Sequence, residues 1–199
     1  MIKKLIAPIL ALLIISSCKK PQDILLNMSD YPVKVGDQWI YQQTFHDFPK
    51  VDTTIITITA KTIYNNDSTV FQTHTTNDGI TVDSGIIIMT ASEYKYVPTD
   101  DYYALFDYTQ LTFPVKTNSV WTGEDIYDTL RVVAFNQKIT VLGNTYNNVI
   151  EIIRAQDGQQ YFTSKDTLYI CAQIGIIEVG EHVYTTPTKT VKLIGYQLH

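Results

Sequence analysis

The chain has 199 residues, 45% of them apolar and 18% charged, and a formal charge of −5. That length suits one domain with a substantial core. The small acidic excess excludes nucleic acid as a partner, because phosphate binding needs a concentrated Lys/Arg patch.

Residues 1–17 read as a signal peptide. Lys3 and Lys4 form a basic head, Leu5 to Ile15 an apolar run broken only by Pro8, and two small residues, Ser16 and Ser17, precede Cys18. About eleven apolar residues are too few for an ordinary membrane span. The order of branched apolar, small, small, cysteine resembles a bacterial lipobox. That resemblance implies cleavage before Cys18 and acylation of its thiol and new amino terminus, an anchor that two or three fatty chains make essentially permanent. Losing residues 1–17 removes two lysines and no acid, so the mature charge falls to −7. No polybasic cluster offers a second grip on anionic lipid, which leaves the acyl anchor as the expected membrane partner.

Residues 18–30 read as a lipidated tether, polar except for Ile24-Leu25-Leu26. The segment after Cys18 has neither the acidic cluster of surface-exported lipoproteins nor an immediate Asp of the kind that marks inner-membrane retention. The expected location is the outer membrane, facing the periplasm.

Residues 31–199 read as one all-β domain. Thr alone supplies 26 residues of the full chain, and Ile, Val and Tyr are abundant, all of which suit a pleated, half-buried surface. Alternating polarity predicts strands at Trp39–His46, Asp52–Tyr64, Thr69–Thr76, Gly79–Thr90, Glu93–Val97, Thr129–Phe135, Lys138–Leu142, Val149–Arg154, Gln160–Cys171, Gly175–Val179 and Thr190–Leu198. Turn signals separate them at Asn65-Asn66-Asp67, Asn77-Asp78-Gly79, Gly143-Asn144, Asp157-Gly158 and Gly180-Glu181. Consecutive hairpins imply an antiparallel sheet. The expected fold is a strongly curved antiparallel sheet or flattened barrel of about eleven strands, with no helix of ten or more residues behind Cys18. Thr99–Leu111 and Thr117–Asp128 do not read as simple strands.

Chemistry-bearing motifs are sparse. His46, His74, His182 and His199 are far apart and lack metal-ligand spacing. Cys171 lies in the apolar run Leu168–Ala172 and reads as a small buried hydrophobe. With Cys18 acylated it has no disulfide partner. The carboxylate pairs Asp100-Asp101 and Glu124-Asp125 sit next to each other in one environment, unlike the separated pair of a glycosidase. The expectation is therefore a non-catalytic protein without cofactor or metal.

Tyr31-Pro32-Val33-Lys34-Val35-Gly36-Asp37-Gln38-Trp39-Ile40-Tyr41 is the most specific stretch. Gly36-Asp37 reads as a turn, Trp39 as the core anchor of the first strand, and Tyr41 as its neighbour on the same face. This P-x-x-x-G-x-x-W-x-Y opening resembles a group of Bacteroidota-type envelope lipoproteins of uncharacterised function. Val141–Val149 around Gly143, Ala172–Ile177 around Gly175 and the closing Leu193–Leu198 resemble further segments of that group. The resemblance implies a binding or structural role in the cell envelope, with an apolar ligand or an envelope protein as partner. It also links the chain to half-barrel lipoprotein carriers, so a carrier of an apolar or lipid ligand is one alternative. A glycan-associated accessory protein is the other, and it requires Tyr102, Tyr103 and Trp121 to form an exposed aromatic surface.

Overall fold

The computed structural model describes residues 24–47, 50–64, 68–78, 80–98, 110–123, 128–156, 164–183 and 186–199. The all-β expectation holds: apart from one 3₁₀ turn at Met28–Asp30, the regular structure among the described residues is strand. Thirteen strands form one antiparallel sheet that curls into a nearly closed barrel. In chain order its members are β2 (Gln38–Phe45), β3 (Val51–Tyr64), β4 (Ser68–Asn77), β5 (Ile80–Asp83), β6 (Ile86–Thr90), β7 (Glu93–Val97) and β8 (Gln110–Thr112). They continue with β10 (Val120–Thr122), β11 (Asp128–Val141), β12 (Asn144–Gln156), β13 (Ser164–Cys171), β14 (Gly175–Val183) and β15 (Thr186–Gln197). Two short strands, β1 (Ile24–Leu26) and β9 (Val115–Lys116), pair separately.

Around the barrel the order is β10-β11-β12-β13-β14-β15-β2-β3-β4-β6-β7-β8, with β5 also on β4. Neighbours are almost all consecutive in sequence, so the sheet is a meander closed by pairing of the last strand, β15, with the first, β2. The free edges, β8 and β10, meet through a side chain: the Trp121 indole N–H donates to the Gln110 carbonyl at 3.1 Å. Alternation along each strand sends Trp39, Tyr41, Ile56, Ile58, Leu168 and Ile170 inward into one continuous core.

Four details differ from the sequence reading. Residues 24–30 belong to the fold and not to a tether: β1 pairs with β9, and Leu26 is 1% exposed. Leu25 and Leu26 take that strand because packing them against the core outweighs the polar context around them. Gly79–Thr90 is two strands, broken at Ser84-Gly85, since β4 pairs first with β5 and then with β6. A Cβ on Gly85 would stand 2.8 Å from the Val97 carbonyl oxygen, which keeps this corner to glycine. Thr129–Phe135 and Lys138–Leu142 are one strand, β11, kinked where Asn136 takes a φ of 54°. Gly180-Glu181 is no turn; both residues pair on either side within β14.

The β11–β12 hairpin also turns one residue earlier than Gly143-Asn144 suggested. Val141 pairs with Asn144, and the corners are Leu142 at φ 47° and Gly143 at φ 89°. Two positive-φ corners in a two-residue loop favour Asn-Gly, and leucine pays a steric cost there. Leu142→Asn should therefore stabilise the fold by about 0.5–1 kcal/mol in chemical denaturation.

Candidate functional site

The Gly36 turn gathers both ends of the domain. Gly36 has a φ of 96°, and a Cβ there would press on the His199 ring at 3.2 Å. Asp37, 1% exposed, uses one carboxylate oxygen to accept the Lys34 backbone N–H at 2.7 Å. The other accepts the His199 backbone N–H at 2.8 Å, which ties the last residue to the first turn. The sequence reading placed Gly36-Asp37 in a turn but gave the Asp37 carboxylate no role in it. The signal available was an acid at the start of an apolar-patterned strand, where a solvated role is the ordinary one.

Trp39 and Tyr41 sit one after the other on the inner face of β2. The Trp39 indole donates to the Ile174 carbonyl at 2.7 Å, and the Tyr41 hydroxyl donates to the Ile176 carbonyl at 3.0 Å. Both carbonyls flank Gly175, whose φ of 99° shapes the β13–β14 turn. Tyr31 completes this cluster from the N-terminal segment, tilted against Tyr94 with ring centroids 4.6 Å apart and edge-on to Phe113 at 6.0 Å. Among these side chains and Tyr96 a cavity of only about 30 Å³ is left. That is one water's worth of space, not an acyl chain's.

Beyond this apolar layer, toward the end where β2 finishes and β3 begins, the inner face becomes polar. Arg154 pairs with Asp166 at 3.7 Å and Lys189 with Glu181 at 2.6 Å, all four mostly buried. On β3 and β4, Asp52 takes a 2.9 Å ion pair from Lys50 and a 3.4 Å hydrogen bond from the Asn77 amide. Beside them run Thr54, Thr73 and Thr75, each at most 2% exposed. Their hydroxyls, with the Asn77 carbonyl oxygen, have no protein hydrogen-bond partner. Register aligns the row: Thr54 faces Asn77, and Thr75 and Thr73 follow at every second residue of β4. Such buried groups carry a desolvation cost of roughly 1–3 kcal/mol each until something bonds them. What this end can do chemically is exchange hydrogen bonds and charge. Sequence reasoning missed it, because threonines on alternating positions look like a solvated strand face.

The remaining sequence candidates are dispersed. Gly143 is the tip of the β11–β12 hairpin, with open space around it. Trp121 is half-buried and packs on the core; Tyr102 and Tyr103, its expected companions in an aromatic surface, lie outside the described residues, as does Cys18. Cys171 is buried beside the Asn147 carbonyl, and that burial raises its thiol pKa. Among the described residues no three metal-ligating side chains converge.

Burial pushes the Tyr31, Tyr41 and Tyr94 hydroxyls above the ordinary tyrosine value of 10.0, with mutual repulsion of their ionised forms adding to it. The folded-state pKa is raised, so the stability tied to these groups is complete below pH 10 and is lost as pH climbs beyond it. An alkaline titration followed at the phenolate absorbance should show these tyrosines ionising only together with unfolding. In parallel, Trp39→Ala should cost about 3–5 kcal/mol by denaturant melt, since it empties the centre of the cluster.

No family model matches the chain, and no curated protein matches it in sequence. Two solved structures are similar in fold. One, from Bacteroides fragilis, is described as a candidate exported protein with a YmcC-like fold; at 9% identity the match covers 84% of this chain and 98% of that one, with a TM-score of 0.54. The other, described as a candidate lipoprotein from Parabacteroides distasonis, matches over 84% of this chain and 97% of its own at 9% identity and a TM-score of 0.48. The chain therefore shares the fold of the Bacteroides fragilis protein.

Proposed function

We propose that this chain is a non-catalytic lipoprotein of the cell envelope, held on the periplasmic face of the outer membrane through Cys18, that binds a polar ligand at the hydrogen-bonding end of its barrel. The observation that carries the binding reading is the row of Thr54, Thr73, Thr75 and Asn77. It is buried hydrogen-bonding capacity left unspent, and among the described residues the buried side-chain atoms without a hydrogen-bond partner all lie on β3 and β4 at or near this end. Natural domains leave few such groups, and a cluster of them on one face asks for a purpose. The charged side chains nearby are already committed to one another as Arg154–Asp166 and Lys189–Glu181, which favours binding over acid–base chemistry. The anchor reading rests on Ser16-Ser17-Cys18 behind the apolar run, and the absence of an Asp after Cys18 favours the outer membrane. The apolar-carrier alternative draws no support from an interior that Trp39, Tyr31, Tyr41 and Tyr94 already fill.

Two variants test the two halves of this reading. Cys18→Ser should move the folded domain from the membrane to the soluble periplasmic fraction and abolish labelling by a radioactive fatty acid. A variant that stays membrane-bound defeats the anchor reading. Thr75→Val keeps the shape and removes an unpaired hydroxyl, so the melting temperature of the ligand-free protein should rise by about 2–4 °C, the equivalent of about 1 kcal/mol at this size. The same variant should lose any polar small molecule that mass spectrometry finds with the native protein. A lower melting temperature would show that the hydroxyl serves the fold.

A further inference from the structure

We infer that the end of the barrel bearing the Gly36 turn is a membrane-seating surface, whose rim of exposed apolar side chains lies on the phospholipid bilayer that the Cys18 anchor enters. The inference rests on the lipid-anchor reading above. Antiparallel alternation puts the Gly36 turn, the end of β3, the β11–β12 tip, the β13–β14 turn and the end of β15 on the same side of the barrel. From those separate segments Val35, Ile63, Leu142, Ile194 and Tyr196 all project into solvent, Ile63 at 64% and Leu142 at 49% exposure. Scattered exposed hydrophobics need no explanation; several gathered on one rim do.

The rim is also hollowed. One depression of about 640 Å³ is lined in part by Met28, Phe71 and Met89, and another of about 620 Å³ by Tyr146, Ile174 and Tyr196. Flexible methionines and amphipathic tyrosines are the side chains that suit a boundary between acyl chain and headgroup. Charge agrees. Lys34, Lys61 and Lys138 are exposed on this half of the molecule, whereas at the opposite end the exposed charges are of both signs, Lys50 and Lys165 beside Asp47 and Asp78. Near an anionic surface each such lysine adds a small attraction.

Chain length selects the bilayer over other occupants. Five residues separate Cys18 from Ile24, so these two Cα atoms lie at most about 22 Å apart. Ile24 opens β1, and β1 is held at this same rim by β9 and by the bond from the Gln173 N–H to the Asp30 carbonyl. An anchored domain therefore cannot hold this rim far from the membrane. Seated so, it turns the polar end of its interior toward the periplasm.

The test uses the full lipidated protein in vesicles of phosphatidylethanolamine and phosphatidylglycerol whose acyl chains carry bromine. A fluorophore is placed on Leu142→Cys at the rim, and on Ile80→Cys, an exposed position at the opposite end, as control. Acylation blocks Cys18 and burial protects Cys171, so only the introduced thiol reacts. The rim probe should lose at least half its emission to the brominated chains, and the control probe none. An anchored protein quenched equally at both positions, or unquenched at Leu142→Cys, overturns the inference and leaves the anchor reading intact. A rim probe shielded from water but untouched by bromine would point to a second copy of the chain and overturn it as well. A protein that never takes up labelled fatty acid and stays soluble defeats the anchor reading itself, and this inference with it.

Discussion

A sheet of thirteen strands with no helical layer among the described residues buries its apolar face against itself. That constraint shapes the rest of the molecule. An open antiparallel sheet leaves one face to water, and here Trp39, Ile58, Leu111, Ile152, Ile170 and Leu193 all stand on the concave side, too apolar to be left wet. Curling is the only covering available, and the meander makes it cheap because nearly every pairing joins neighbours in sequence. The exception is β2 with β15, which spans almost the whole domain and carries the largest loop-closure cost. The long-range bonds reinforce that seam or lie close to it. Asp37 receives the backbone of His199, and Trp39 and Tyr41 donate to carbonyls beside Gly175 on β14.

The opposite seam is closed differently. No ladder joins β8 to β10 among the described residues, and the indole bond from Trp121 to Gln110 spans the gap. The N-terminal segment then does what a covering helix would do elsewhere. β1 pairs with β9 just outside the seam, and Tyr31 reaches in to pack its ring against Tyr94 and edge-on to Phe113. Segments before the first long strand are usually the loosest part of a domain. Here one is a packed component of the core, and only five residues of sequence separate Cys18 from Ile24, where β1 begins.

Much of this was legible before any coordinates. Branched and aromatic residues at period two located the long strands, because one wet and one dry face leave a plain alternation in sequence. Glu93–Val97 was read to the residue. The short strands β1, β8, β9 and β10 were not found: two or three residues cannot display a period, and tertiary partners alone make them strands. Gly180 misled in the other direction, since a glycine inside a paired strand carries the same letter as one at a turn. The polar end was hidden for a related reason. Thr54 and Thr75 obey the inward alternation exactly as isoleucine would, and only the closed barrel shows that their hydroxyls are shut away from water.

The inner face is thus divided along its length, and the division is physical before it is functional. At the Gly36 end, Trp39 and Tyr41 bury their rings and hand their polar tips to backbone carbonyls, Tyr31 and Tyr94 bond each other, and among the described residues no buried side-chain polar atom of this layer lacks a partner. At the other end, the ion pairs and the threonine row keep polar atoms in a place where they lower stability. Apolar residues of the same shape would pack equally well there, as they do one layer below. A sequence under selection for stability alone would have replaced Thr54, Thr73 and Thr75 with valine, a change of one atom's chemistry at each site. Their retention within reach of Asp52 and Asn77 sets this end apart from the rest of the core. Stability gained in the aromatic layer offsets what the polar layer costs, and that offset lets a small barrel hold hydrogen-bonding groups out of water.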